Sequence, residues 1–187
     1  MKKLNVLIVL LLLAGGAFAQ TTWTVDKAHS KLGFTVTHLM VSEVDGNFNS
    51  FDAKITSTKE DFSDASVELS ADINSVDTNN ERRDNHLKSA DFFDAAQFPT
   101  LTFKSTAVKK TGEKTYKVTG DLTMHGVTKS VDLDATLVGT TTSRDGKKIS
   151  GWKVTGTVNR IDFKVGTSGP SVSDEVIITA KAEFKSN

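Results

Sequence analysis

The chain has no cysteine. That excludes disulfide staples and a lipoprotein anchor, which needs a cysteine at the cleavage point. Stability must come from apolar packing and backbone ladders. Formal charge balances to zero, and no basic stripe interleaved with aromatics occurs, so nucleic acid is not an expected partner. No polybasic segment favours an anionic membrane surface. The four histidines (His29, His38, His86 and His125) form no H-x-x-x-H pair, and no compact metal-ligand motif is present. No metal site is expected. There is no glycine-rich phosphate loop, and Gly166-Thr167-Ser168-Gly169-Pro170 lacks the Gly-Lys-Ser/Thr such a loop needs. His29-Ser30 near Asp26 lacks a G-x-S-x-G elbow, which argues against a hydrolase.

One long apolar run is present, Leu4 to Leu13, after basic Lys2 and Lys3 and before Ala17-Phe18-Ala19. It is too short to span a membrane. The pattern is that of a secretory signal peptide over 1–19, with 20–187 as one mature domain. Its removal leaves the mature part slightly acidic and long enough to bury a core.

The mature region alternates apolar and polar residues with the period of β-strands. Leu32, Phe34 and Val36 share one parity, as do Val67, Leu69, Ala71 and Ile73. Further sets run through Tyr116–Met124, Val131–Leu137, Trp152–Val158 and Val176–Phe184, with strands also expected around Val44–Ile55 and Thr100–Val108. Asp45-Gly46, Lys110-Thr111-Gly112 and Arg144-Asp145-Gly146-Lys147 carry turn chemistry. About eight strands with short connections point to an antiparallel barrel or sandwich.

One stretch breaks the pattern. Thr78-Asn79-Asn80-Glu81 has the form of a capping box with Thr78 as the cap. A short helix to about Lys88 follows, a second turn covers Ser89–Phe93, and Pro99 forces Phe98 into extended geometry. The insertion thus covers roughly 79–94.

Small residues occupy the apolar parity in mid-strand: Ala71, Gly120, Ala135, Gly156, Ala180 and Ala182. Either they leave an internal cavity, as an eight-stranded barrel can, or they fit the taper of a closed sheet. Arg83 likewise has two readings. It could meet a polar ligand head, or pair with Asp84 to tie the helix to the rim.

Ordered motifs then suggest a family. Trp23-x-Val25-Asp26-x-x-His29-Ser30, Gly46-x-Phe48, Arg83-Asp84-x-His86-Leu87-x-Ser89-x-Asp91-Phe92-Phe93, and Phe98-Pro99-x-Leu101-x-Phe103 come first. Gly120-Asp121-Leu122-Thr123-Met124-His125-Gly126-Val127-Thr128, Asn159-Arg160-x-Asp162-Phe163 and Asp174-Glu175-Val176 follow. In this order the chain resembles the YceI-like family. One departure stands out: the family often has glycine directly after the Asp-Phe pair, whereas Lys164 and Val165 precede Gly166 here.

The resemblance implies an all-β, lipocalin-like, eight-stranded antiparallel barrel in the periplasm. It implies a non-enzymatic carrier or store for a long isoprenoid lipid, such as a polyprenol, a quinone or a precursor, with no cofactor beyond that ligand. A transient inner-membrane donor and a homodimer are compatible with it. The expected tail-lining residues are Phe34, Val36, Leu69, Phe103, Leu122, Val154 and Ile178, with Phe92 and Phe93 gating the mouth. His29, Arg83, Asp84 and His86 are the head-group or rim candidates. A stress-related interaction domain with a filled core, and an enzyme acting on a bound lipid, are the alternatives.

Overall fold

A computed structural model describes residues 20–187; the expected signal peptide lies outside them. In chain order the elements are β1 (Thr21–His38), β2 (Ser42–Phe48), β3 (Phe51–Ser57), β4 (Ser66–Asp72), β5 (Val76–Asp77), α1 (Glu81–Lys88), β6 (Thr100–Lys110), β7 (Thr115–Met124), β8 (Val127–Thr142), β9 (Lys148–Asn159) and β10 (Val172–Ser186).

Neighbouring strands pair antiparallel from β6 to β10, and β10 returns to β1 with Phe34 opposite Ile178, closing the sheet. On its other edge β1 pairs first with β3 (Trp23 opposite Ile55) and then with β2 (Leu32 opposite Phe48). Hence β2 and β3 are two halves of the single strand expected over Val44–Ile55, broken at Asn49-Ser50. Counted this way, the barrel has eight antiparallel staves.

β1 starts ten residues before its regular alternation. A register shift between Asp26 and Lys31 separates inward Trp23 and Val25 from inward Leu32, Phe34 and Val36. Such a bulge flips parity, which is why the first half escaped the period-2 reading.

Two local expectations need correction. Asp45-Gly46 is not a turn but lies inside β2. Glycine is needed there because a Cβ would come within 2.3 Å of the Phe34 ring across the ladder. The turn falls instead at Leu39 and Met40, both with left-handed backbone. Second, the cap of α1 is Asn80, whose side chain accepts from the Arg83 amide at 3.0 Å. Asn79 turns the chain through a positive φ of 59°, which leaves Thr78 too early to cap.

Five of the six small residues resolve into two kinds; Ala71 is buried and lines neither cavity. Gly120 and Gly156 leave no spare volume, since a Cβ would meet Phe103 and Leu133, each at 2.4 Å. They let a neighbouring side chain lie flat on the wall. Ala135, Ala180 and Ala182 do face internal space.

Candidate functional site

The barrel interior holds two adjoining cavities. One, of about 160 Å³, lies toward the end occupied by Trp152, Tyr116 and Phe62. The other, of about 250 Å³, lies toward α1. Phe34, Phe48, Leu101, Leu122 and Ile178 line both, so the two meet at a collar of apolar side chains. Together they reach the ~300–1,000 Å³ usual for small-ligand sites. Phe34, Leu69, Val154 and Ile178 point inward yet remain half-buried; their free surface is that of the cavity.

The strand pleat decides which side chains meet there. Leu69, Phe103 and Val154 line the deep chamber, while Val36, Phe92 and Phe93 line the outer one. Arg83 and His86 also face the outer chamber. Both come from α1, where three-residue spacing puts them on one face. Phe92 stacks edge-on against His86 at 4.9 Å, and Phe93 against Phe48 at 6.0 Å.

His29 belongs elsewhere. It lies on the outer wall at the β1 bulge, its side chain 63% exposed, and lines neither chamber. Its Nδ1 contacts the Asp26 carboxylate at 3.1 Å. With Glu183 these residues form a group of metal-ligating type, but Lys185 already sits 2.6 Å from Asp26. Hydrogen bonds from Lys185, then His29, hold the Asp26 carboxyl down at about 2.

Asp84 also leaves the rim set. It lines neither chamber and faces Thr78 from outside. Arg83 and Asp84 meet only through that threonine, which is buried. The Thr78 amide donates to Asp84 Oδ1 at 2.9 Å and its hydroxyl donates at 2.5 Å. Arg83 donates from Nε to the Thr78 hydroxyl and from Nη2 to the Thr78 carbonyl, both at 2.8 Å. This clamp fixes α1 over the outer chamber.

Sequence reasoning passed over Arg160, although it continues the inward parity of Val154, Gly156 and Val158. It is 4% exposed and lines the outer chamber. Nε donates to the Ser173 carbonyl at 2.8 Å and Nη1 to that of Val165 at 2.9 Å. Nη2 donates to the Thr167 carbonyl at 3.0 Å, and to the Val172 carbonyl and Asp174 Oδ1 at 3.3 Å each. Burial lowers its pKa from the ordinary value, and Asp174 opposes that shift. With its donor fork filled by the 165–174 segment, Arg160 is a scaffold for the mouth. Thr78 and His38 are further polar residues on the chamber wall; His38 ends β1 on the inward parity of Phe34 and Val36.

The departure after Asp162-Phe163 lies beside Arg160. Lys164 adopts φ 60°, ψ 26° and closes the 3-10 turn Arg160–Phe163. The lysine therefore takes the left-handed conformation that glycine adopts freely.

The YceI-like domain model matches residues 23–184, almost the whole described chain. The chain belongs to the YceI-like family. A UPF0312 protein of Staphylococcus aureus is 38% identical over 171 residues, covering 88% of this chain and 97% of that one. The solved YceI protein of Campylobacter jejuni is 35% identical, with TM-score 0.71 over 86% of this chain and 95% of its own. BcnA of Burkholderia cenocepacia is 26% identical, with TM-score 0.76 over 85% and 98%. A polyisoprenoid binding domain from Saccharophagus degradans shares the fold at TM-score 0.64, with 16% identity over 88% and 98%.

Proposed function

We propose that this YceI-like barrel binds a long-chain isoprenoid lipid, a polyprenol or a quinone or its precursor, and serves as its periplasmic carrier or store. Binding rather than turnover is its role. The observation that carries this reading is the pair of adjoining apolar chambers, whose polar groups gather mainly toward α1 and Arg160. That arrangement suits an amphiphile with its tail along the axis and its head between Arg83 and His86. The polyisoprenoid binding domain with the same fold supports the ligand class.

The energetics fit. Each buried methylene contributes roughly 0.8 kcal/mol, so about ten give about 8 kcal/mol, the free energy of micromolar binding. A longer chain offsets the costs of ordering and immobilisation. Head-group contacts then set specificity.

Native mass spectrometry and organic extraction of protein purified from its own periplasm test the proposal. The expected result is a co-purifying isoprenoid mass. Empty protein that takes up neither quinone nor polyprenol in titration overturns it and favours an interaction domain. Phe92 and Phe93 should separate. Phe93 belongs to the buried core and Phe92 is only partly buried. Phe92→Ala should speed lipid release with little loss of stability, whereas Phe93→Ala should cost about 2–4 kcal/mol in denaturant unfolding.

A further inference from the structure

The turn between β1 and β2 is apolar and fully presented. Leu39, Met40 and Val41 are 53%, 88% and 83% exposed. Leu39 and Met40 hold φ angles of 49° and 56°, a backbone conformation in which asparagine and glycine are the ordinary occupants and bulky apolar residues are strained. A turn that only joined two strands would have no use for that strain. Of the other exposed large apolar residues among those described, Val138 and Ile177 stand singly on the outer wall.

The tip sits beside the chamber mouth. The Leu39 amide donates to the Ser171 carbonyl at 3.1 Å, tying the turn to the loop after Val165. His38, Val165 and Val172, at the roots of these two segments, all line the outer chamber. Neither segment, 37–42 or 165–172, contains Asp, Glu, Lys or Arg, in a chain where such residues make up 25%. The rim on this side of the mouth therefore combines protruding apolar side chains with two segments that carry no charged residue, Glu43 and Lys164 flanking them.

We infer that this rim docks on a lipid bilayer: Leu39, Met40 and Val41 enter the interfacial layer, and the mouth meets the membrane so that an apolar ligand crosses without entering water. The inference rests on the lipid reading of the chamber. A bilayer fits better than a protein partner. Stable protein interfaces need roughly 800 Å² from each side, far more than three side chains offer, and neither segment carries a charged side chain of its own to set a docking register. Without lysine or arginine at the tip, the contact should not depend on anionic lipid or on salt.

The test uses full mature protein, undecaprenol as probe, and vesicles of phosphatidylcholine with or without phosphatidylglycerol. The variant is Met40→Ser with Val41→Ser; the control is Val138→Ser with Ile177→Ser. Flotation with probe-free vesicles reads docking, uptake from probe-loaded vesicles reads transfer, and uptake from detergent reads the chamber alone. The tip variant should load normally from detergent, yet float and take up probe from vesicles about tenfold less well. The control should match wild type, and salt should change neither readout. Equal behaviour of tip variant and wild type overturns the inference, as does equal loss in the control. A strict need for phosphatidylglycerol that salt abolishes also overturns it. Wild-type protein that takes up nothing from detergent overturns the lipid reading instead, and flotation still decides whether the tip docks.

Discussion

The two ends of the barrel are shut by opposite means. At the deep end the β3–β4 connection folds inward and Phe62, 1% exposed, plugs the barrel. Its ring lies 5.2 Å from Trp23 and 5.1 Å from Trp152, perpendicular to the latter. Tyr116 packs on Trp152 at 5.4 Å and donates from its hydroxyl to the Asp61 carbonyl at 2.8 Å. At the other end α1 has no buried residue and is held by the Thr78 clamp, while Arg160 gathers the facing loop. An aromatic plug gains its stability by filling space. A polar latch fixes backbone at the periphery and leaves the space beside it open. Fold stability should therefore concentrate at the deep end and ligand access at the mouth.

Phe62→Ala probes this difference most strongly. Removing a fully buried ring between two tryptophans should cost about 3–5 kcal/mol in denaturant unfolding, while the rate of lipid release, set at the mouth, stays near wild type. A loss under ~1 kcal/mol would show that the plug is not where stability resides. Arg160→Met should cost about 2–4 kcal/mol, because it leaves buried carbonyls without their donor. Its signature should be local, with faster amide exchange across 165–174 and an unchanged deep end. Uniform exchange across the barrel would break the division between the ends.

Acid should act on the deep end through the carboxylates of the β3–β4 connection, Asp64 above all. Asp64 accepts from the Ser57 hydroxyl at 2.6 Å, the Thr58 amide at 3.0 Å and the Lys59 amide at 3.2 Å, and also from the Thr58 hydroxyl. The Ser57 and Thr58 hydroxyls hold its carboxyl well below the usual carboxylate range. A depressed folded value means that the ionised form stabilises. That contribution is complete above the unfolded value of about 3.9 and fades as pH falls toward the folded one. The two tryptophans, Trp23 and Trp152, both flank the plug, so their emission should shift below about pH 4. In Asp64→Asn that shift should shrink, the remainder belonging chiefly to Asp61, whose carboxyl the Ser63 hydroxyl and Lys110 hold down at about 2.

Much of the barrel was legible because one face of each strand is apolar and period two is hard to mistake. Phe34, Leu69, Phe103, Leu122, Val154 and Ile178 reach the chambers by parity alone. What stayed hidden depended on contacts between distant segments. The bulge after Asp26 reversed parity in β1. Gly46 looked like a turn because its constraint is Phe34, on another strand. His29 carries a family motif but sits on the outer wall, which pattern alone does not reveal. Arg160 read as a motif residue, while its function as a scaffold lies in carbonyls up to thirteen residues ahead. Thr78 looked like a cap because a capping box is defined by spacing, and Asn79 alters the geometry through one dihedral angle.

The smallest effect tests whether the mouth is tuned for stability at all. Lys164 holds a left-handed backbone next to the Arg160 network, and its amide donates to the Ile161 carbonyl at 2.9 Å. A non-glycine residue there carries a strain of about 1 kcal/mol or more. Glycine removes the strain but loses roughly 0.5–1 kcal/mol of chain entropy on folding. Lys164→Gly should therefore gain only about 0.5 kcal/mol, a rise of about 1–2 °C in thermal melting. The gain should shrink in an Arg160→Met background, because the Val165 amide bonds to the Arg160 carbonyl at 3.1 Å and the same loop is then no longer held. A destabilised Lys164→Gly would mean that the lysine side chain itself secures the mouth, and the polar latch would extend one residue beyond Arg160.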